Sequence, residues 1–182
     1  GNKIPVSALI LNSPFLDMNM SWFMEEVVIP VISFIGNYFP NLEVEGKGIS
    51  QYAHSLLKRI HGEWEYNENW KKTTGHPKKA GWIHAIHKGH QTIQKGLNLT
   101  CPILVMSSDK SIPETKIWNE LYHTSDIVLD VKDIQKYGKM LGSRVTCKQI
   151  HNGKHDLILS NEPARKETYQ VIFSWLKQQS GK

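Results

Sequence analysis

The chain has 182 residues, 40% of them hydrophobic and 21% charged, with a net charge of +5. That is enough for one core plus an inserted lobe, and the ordinary globular balance excludes a disordered or fibrous chain. Lysine and arginine are scattered (Lys58, Arg59, Lys71, Lys72, Lys139, Arg144) with no long basic run, which argues against a nucleic-acid partner.

Cys101 and Cys147 make neither a disulfide framework nor a CxxC pair, so a reducing, cytoplasmic setting is expected. No secretory pattern opens the sequence, and Gly1 reads as a cloning remnant. The longest apolar stretch, 22–39, contains Glu25, Glu26, Pro30 and Asn37. It is too interrupted to span a bilayer, yet apolar enough to lie on one or to line an acyl-binding groove.

Residues 7–12 read as a short buried strand ended by Ser13 and Pro14. With almost no polar alternation, such a strand wants neighbours on both sides, and the sequence before it offers none. A truncated sheet with an exposed edge is the expectation. Residues 18–80 change character: a helical apolar stretch kinked at Pro30, a turn at Gly46 to Gly48, an amphipathic piece at 52–60 and an aromatic-rich segment from Trp64 to Trp70. They are expected to form an inserted helical lobe. Residues 81–97 then read as a helix and 102–106 as a second buried strand. Short helical spacing at 116–122 and a longer helix at 131–141, stopped by Gly142, follow. A third strand at 145–150 precedes a last helix at 163–177, whose expected core face is Tyr169, Ile172, Phe173 and Leu176. This order predicts an α/β parallel sheet, with residues 1–17 as a core strand, 18–80 as the insertion and 81–182 as the main core.

The sharpest chemical signal is His155, in the turn that follows the third strand and contains Gly153. Open parallel sheets carry functional side chains at the carboxyl ends of strands, and histidine titrates near neutrality. Gly153 is expected to let the turn bend, and His151 is read as an ordinary loop residue. A histidine base needs a carboxylate to fix its tautomer. Three loop candidates follow the second strand, Asp109, Asp126 and Asp130; Asp130 is also suited to cap the helix at Val131, and Asp133 fits that helix's first turn. A Gly-x-Ser-x-Gly nucleophile elbow is absent from these 182 residues, and Ser50, after Gly48 and Ile49, lacks both the second glycine and a preceding strand. Both cysteines read as core residues. His84, His87 and His90 would spread over about 120° of a helix, a broad face for one ion, so no metal is expected. No glycine-rich phosphate loop and no other cofactor motif is present.

Taken in order, several short stretches resemble the C-terminal half of α/β-hydrolases of the serine aminopeptidase S33 type, the group that includes monoacylglycerol lipases and lysophospholipases. The matching pieces are Leu9 to Phe15, Gly62 to Tyr66 with Trp70 and Lys71, and Ala80 to Ile83. They continue with Cys101 to Met106, Asp126 to Val131 and His155 to Ser160. The resemblance implies a parallel hydrolase sheet with an inserted cap, Asp126 as catalytic acid and His155 as catalytic base. It also implies a largely apolar acyl pocket in the cap, which suits Trp22, Phe23, Phe34 and Phe39. The implied activity is serine-dependent hydrolysis of lipid-like or small acyl esters, with the serine and the oxyanion hole outside these residues. Alone, the chain is expected to be inactive. The alternative is a non-catalytic module that self-associates through its exposed sheet edge.

Overall fold

A computed structural model describes residues 6–45 and 50–180, so the turn expected at Gly46 to Gly48 lies outside the described residues. In chain order the elements are β1 (Leu9–Asn12), α1 (Ile29–Tyr38), β2 (Glu43–Glu45), α2 (Gln51–Leu56), β3 (Lys78–Lys79) and α3 (Ala80–Ile93). They continue with β4 (Ile103–Ser108), α4 (Val131–Gly138), β5 (Val145–Ile150) and α5 (Glu162–Ser180). Two compact units result, one from Gly1–Asp17 with Ile93–Lys182, the other Met18–Thr92.

The first unit is an α/β layer structure on a parallel sheet of order β1-β4-β5. β4 is central and buried at every residue, as an unalternating run of Ile, Leu, Val and Met demands when both faces are covered. Its side chains alternate between two cores. Ile103 and Val105 join Leu16, Leu129, Ile134 and Leu141 on one face. Leu104 and Met106 join Ile150, Leu157, Ala164 and Trp175 on the other. In register, Asn12 of β1 lies opposite Met106, while β4 and β5 end together at Ser108 and Ile150. The carboxyl ends of all three strands therefore open toward the same loops.

Several sequence expectations need correction here. The helix expected at 116–122 is a single 3-10 turn, Glu120–His123. Tyr122 is fully buried there, and its hydroxyl accepts from Thr115 N–H at 2.8 Å and shares a hydrogen bond with the Thr115 hydroxyl at 2.9 Å instead of projecting from a helix. The helix expected to reach Leu141 ends at Gly138. Gly142 is no cap: a Cβ there would lie 2.2 Å from the Leu99 carbonyl oxygen, so glycine permits a close approach of two backbones. On α5 Ile172 and Leu176 pack against the second core as expected, beside the buried Ala164, Thr168 and Trp175, while Tyr169 and Phe173 stack on each other in solvent. The helix carries two adjacent apolar stripes, and contact with β4 and β5 selected the one containing Trp175.

The second unit is largely helical. A π-helical turn, Met24–Val28, runs directly into α1, so Pro30 lies within a continuous helical stretch, at the junction where the π-turn gives way to α-helix. Gly36 lets α1 approach α3, since a Cβ would lie 2.1 Å from the Ala80 carbonyl oxygen. The amphipathic piece expected at 52–60 shortens to α2, capped by Ser50. β2 and β3 pair antiparallel. Among the described residues no helix is long and apolar enough to cross a membrane.

Candidate functional site

β5 ends at Ile150, and the chain turns through residues 151–154 before His155. The residue with left-handed backbone is Asn152, φ 54°, not Gly153 as the sequence suggested. Asparagine tolerates that conformation better than most side chains. Gly153 serves close packing instead: a Cβ there would lie 2.6 Å from Leu157 Cδ2.

Asp126 is reached by an excursion from the end of β4. The chain returns there: Asp126 N–H donates to the Lys110 carbonyl and Ile112 N–H donates to the Asp126 carbonyl, each at 3.0 Å. This backbone pairing fixes where the carboxylate can point. Asp126 is completely buried. Its Oδ1 accepts from the N–H groups of Val128 and Leu129 at 2.8 and 2.9 Å. Its Oδ2 lies 3.0 Å from His155 Nδ1, across 29 residues of sequence. A carboxylate only accepts, so Nδ1 carries the proton and Nε2 becomes the basic nitrogen of the neutral ring. A buried carboxylate bonded in this way is the group that orients an imidazole and stabilises it when protonated.

The other acidic candidates are placed elsewhere. Asp130 caps α4, accepting from Lys132 N–H at 2.9 Å and from the Ser111 hydroxyl at 3.3 Å. Asp109 faces His151: its Oδ2 accepts from His151 Nδ1 at 2.9 Å and its Oδ1 from Asn152 N–H at 3.0 Å. His151 is therefore paired, but its side chain is 75% exposed, against 23% for His155. Asp133 lies in the first turn of α4, where burial, with Asp17 and Asp130 adding, holds its carboxyl above the usual range against Lys136.

Residues that the sequence reasoning passed over hold the histidine turn. The Ser108 hydroxyl donates to the Gly153 carbonyl at 2.7 Å, and Ser160 Oγ accepts from Lys154 N–H at 2.8 Å. Asn12 Nδ2 donates to Asp156 Oδ1 at 2.8 Å, and Asn12 Oδ1 accepts from Leu157 N–H at 3.2 Å. The available signal was position: Asn12 and Ser108 are polar residues at the carboxyl ends of apolar parallel strands.

Trp22, Phe23 and Phe34 all stand in the second unit, 74%, 59% and 67% exposed. Phe34 meets Tyr38 edge-on and lines a cleft of about 510 Å³ with Ser33, His84 and His87. The three histidines of α3 have separate surroundings. His84 Nδ1 lies 2.8 Å from the Ser33 carbonyl oxygen, His87 Nε2 lies 3.0 Å from Gln91 Nε2, and His90 is buried. Among the described residues no group of three or more His, Cys, Asp or Glu side chains is arranged to hold a metal ion. Cys101 and Cys147 are free thiols packed against the first core, and burial pushes the Cys147 thiol up, opposed by Lys139. That is the reverse of what activates a nucleophilic cysteine.

The three-stranded parallel sheet with its helices is an α/β fold matching part of an α/β-hydrolase. A monoacylglycerol lipase from Paleococcus ferrophilus superposes with a TM-score of 0.64 at 13% identity, over 96% of this chain and 60% of the lipase. A soluble variant of the monoglyceride lipase of Saccharomyces cerevisiae, solved with a substrate analogue, gives a TM-score of 0.58 at 11% identity, over 95% of this chain and 56% of that one. The chain thus spans less than two thirds of either. No protein-family model and no curated protein sequence matches the chain.

Proposed function

We propose that this chain is part of a serine hydrolase acting on carboxylic esters, lipid-like or small acyl, and that it contributes Asp126 and His155 to a Ser–His–Asp triad. The observation that carries the proposal is the 3.0 Å contact between His155 Nδ1 and the fully buried Asp126 carboxylate. Its place beyond the carboxyl ends of parallel strands, and the likeness to two lipases, support it. In this scheme a serine outside the 182 residues attacks the acyl carbon while His155 Nε2 takes its proton. The resulting imidazolium is stabilised by Asp126 and returns the proton to the departing alcohol. The exposed Trp22, Phe23 and Phe34 are proposed as acyl contacts. No cofactor enters the scheme, and a reducing cytoplasm suits the two free thiols.

The test is p-nitrophenyl ester turnover by the 182-residue chain and by a version extended by its upstream coding sequence. The extended protein should turn over ester and lose the activity on His155→Ala, while the 182-residue chain stays at the level of its own His155→Ala control. His155-dependent turnover by the short chain would overturn the placement of the serine; His155-independent turnover by the extended one would overturn the triad.

A second proposal, a non-catalytic module that self-associates, is favoured by the position of β1 at the end of the sheet order with β4 as its neighbour. An edge strand offers a row of backbone groups to another chain. A stable dimer in light scattering supports it; a well-folded monomer removes it.

A further inference from the structure

We propose that Asn12 is a positioning residue for His155, acting through a latch to Asp156 and Leu157. The proposal rests on the assignment of His155 as the functional base and adds what holds that base in place. Asn12 is the last residue of β1, 144 residues from Asp156 in sequence. Both ends of its side-chain amide are engaged. The Nδ2 group donates to Asp156 Oδ1 at 2.8 Å and the Oδ1 accepts from Leu157 N–H at 3.2 Å. Because Asp156 presents an acceptor and Leu157 a donor, position 12 must supply one of each. A carboxylate there would face the Asp156 carboxylate, and an aliphatic side chain would satisfy neither partner.

The latch matters because of what it completes. Upstream of His155, residue 152 is held by Asp109, residue 153 by Ser108 and residue 154 by Ser160. Downstream, Asp156 accepts from Ile158 N–H at 3.1 Å, and Leu157 is fully buried against the second core. Asn12 ties that downstream half to the end of β1. His155 is the residue between the two anchored stretches, and its side chain must arrive within hydrogen-bond distance of a carboxylate that cannot move. A displacement of about 1 Å is enough to take a 3 Å contact out of hydrogen-bond range. Strand β1 thereby reaches the histidine through the two residues that follow it.

The experiment is long-range proton–nitrogen NMR on the imidazoles of the 15N-labelled 182-residue chain, with the His155 signals assigned by their loss in His155→Gln. The wild-type ring should be a single Nδ1–H tautomer at neutral pH. Asn12→Asp sets two carboxylates against each other and should convert the His155 signals to a mixture of tautomers. The swap Asn12→Asp with Asp156→Asn should restore the wild-type pattern, because the amide introduced at position 156 donates to the carboxylate introduced at position 12. Asn12→Ser, which removes the latch without repulsion, should give the same mixture and serves if Asn12→Asp does not fold. If Asn12→Ser lowers the thermal midpoint but leaves the His155 tautomer as in wild type, the latch is merely structural and the proposal fails. Failure of the swap to restore the pattern overturns it too. The readout requires no turnover, so loss of the hydrolase assignment and loss of the latch give different results.

Discussion

Replacing Asp126 probes the centre of the site through stability, without any substrate. The carboxylate is fully buried and serves three donors, Val128 N–H, Leu129 N–H and His155 Nδ1. In Asp126→Ala all three lose their acceptor. Val128 is 37% exposed, so water compensates its N–H, whereas Leu129 is buried. The buried amide and the charge-assisted imidazole bond together put the loss at about 3–5 kcal/mol. Asp126→Asn keeps an acceptor for the two backbone groups and replaces the ionic bond to His155 by a neutral one, a loss of about 1–2 kcal/mol. The introduced amide also turns a donor toward Nδ1, which moves the ring proton to Nε2. At an unfolding slope of about 2 kcal/mol/M in urea, the midpoint should fall by roughly 2 M for alanine and by less than about 1 M for asparagine. Urea titrations followed by far-UV circular dichroism measure this directly. An alanine variant within about 0.5 M of wild type at unchanged slope would refute the idea that this carboxylate organises the turn.

Three other outcomes follow from single groups. Gly142→Ala should cost at least about 2 kcal/mol in the same titration, because its Cβ would lie 2.2 Å from the Leu99 carbonyl oxygen; an unchanged midpoint would contradict the close approach. Burial first, then Lys88, His90 and His84, lower the His87 pKa from 6.5 against the raising effect of Glu26. The unfolded chain thus takes up that proton first as pH falls, so stability declines below about pH 6.5 through the folded-state pKa and then levels off. His87→Gln should lose less stability than wild type over that window, and parallel pH profiles would count against a partly buried imidazole that folding keeps neutral. With burial pushing its thiol above 9.0, Cys147 in a Cys101→Ser background should react with iodoacetamide several-fold more slowly than glutathione at the same pH. An equal rate would show the thiol to be open.

Much of the sheet was legible because its strands are short apolar runs between punctuating residues. β5 falls on the expected 145–150, and β4 begins one residue after the expected start. Turn chemistry was less legible. Gly142 looked like punctuation, yet glycine is needed there because the Leu99 backbone passes where a Cβ would stand. That requirement belongs to a contact between distant segments and leaves no local signature. Likewise Asp109, Asp126 and Asp130 are equivalent as residue types, and only the resemblance put Asp126 first. Position in space separates them: Asp130 is spent on a helix cap and Asp109 on His151, while the excursion after β4 brings Asp126 beside His155.

By itself, then, the sequence determined the periodicities, the class of fold and the candidate chemistry of His155 with an acid. Those depend on residue types and on near neighbours along the chain. Tertiary structure decided which acid meets the histidine, which stripe of α5 is buried, and that Asn12 reaches Asp156 from the far end of the sequence. The physical reason is that parallel strand register sets which carboxyl-terminal loops converge. Register is a property of the whole sheet, fixed by how its two faces pack.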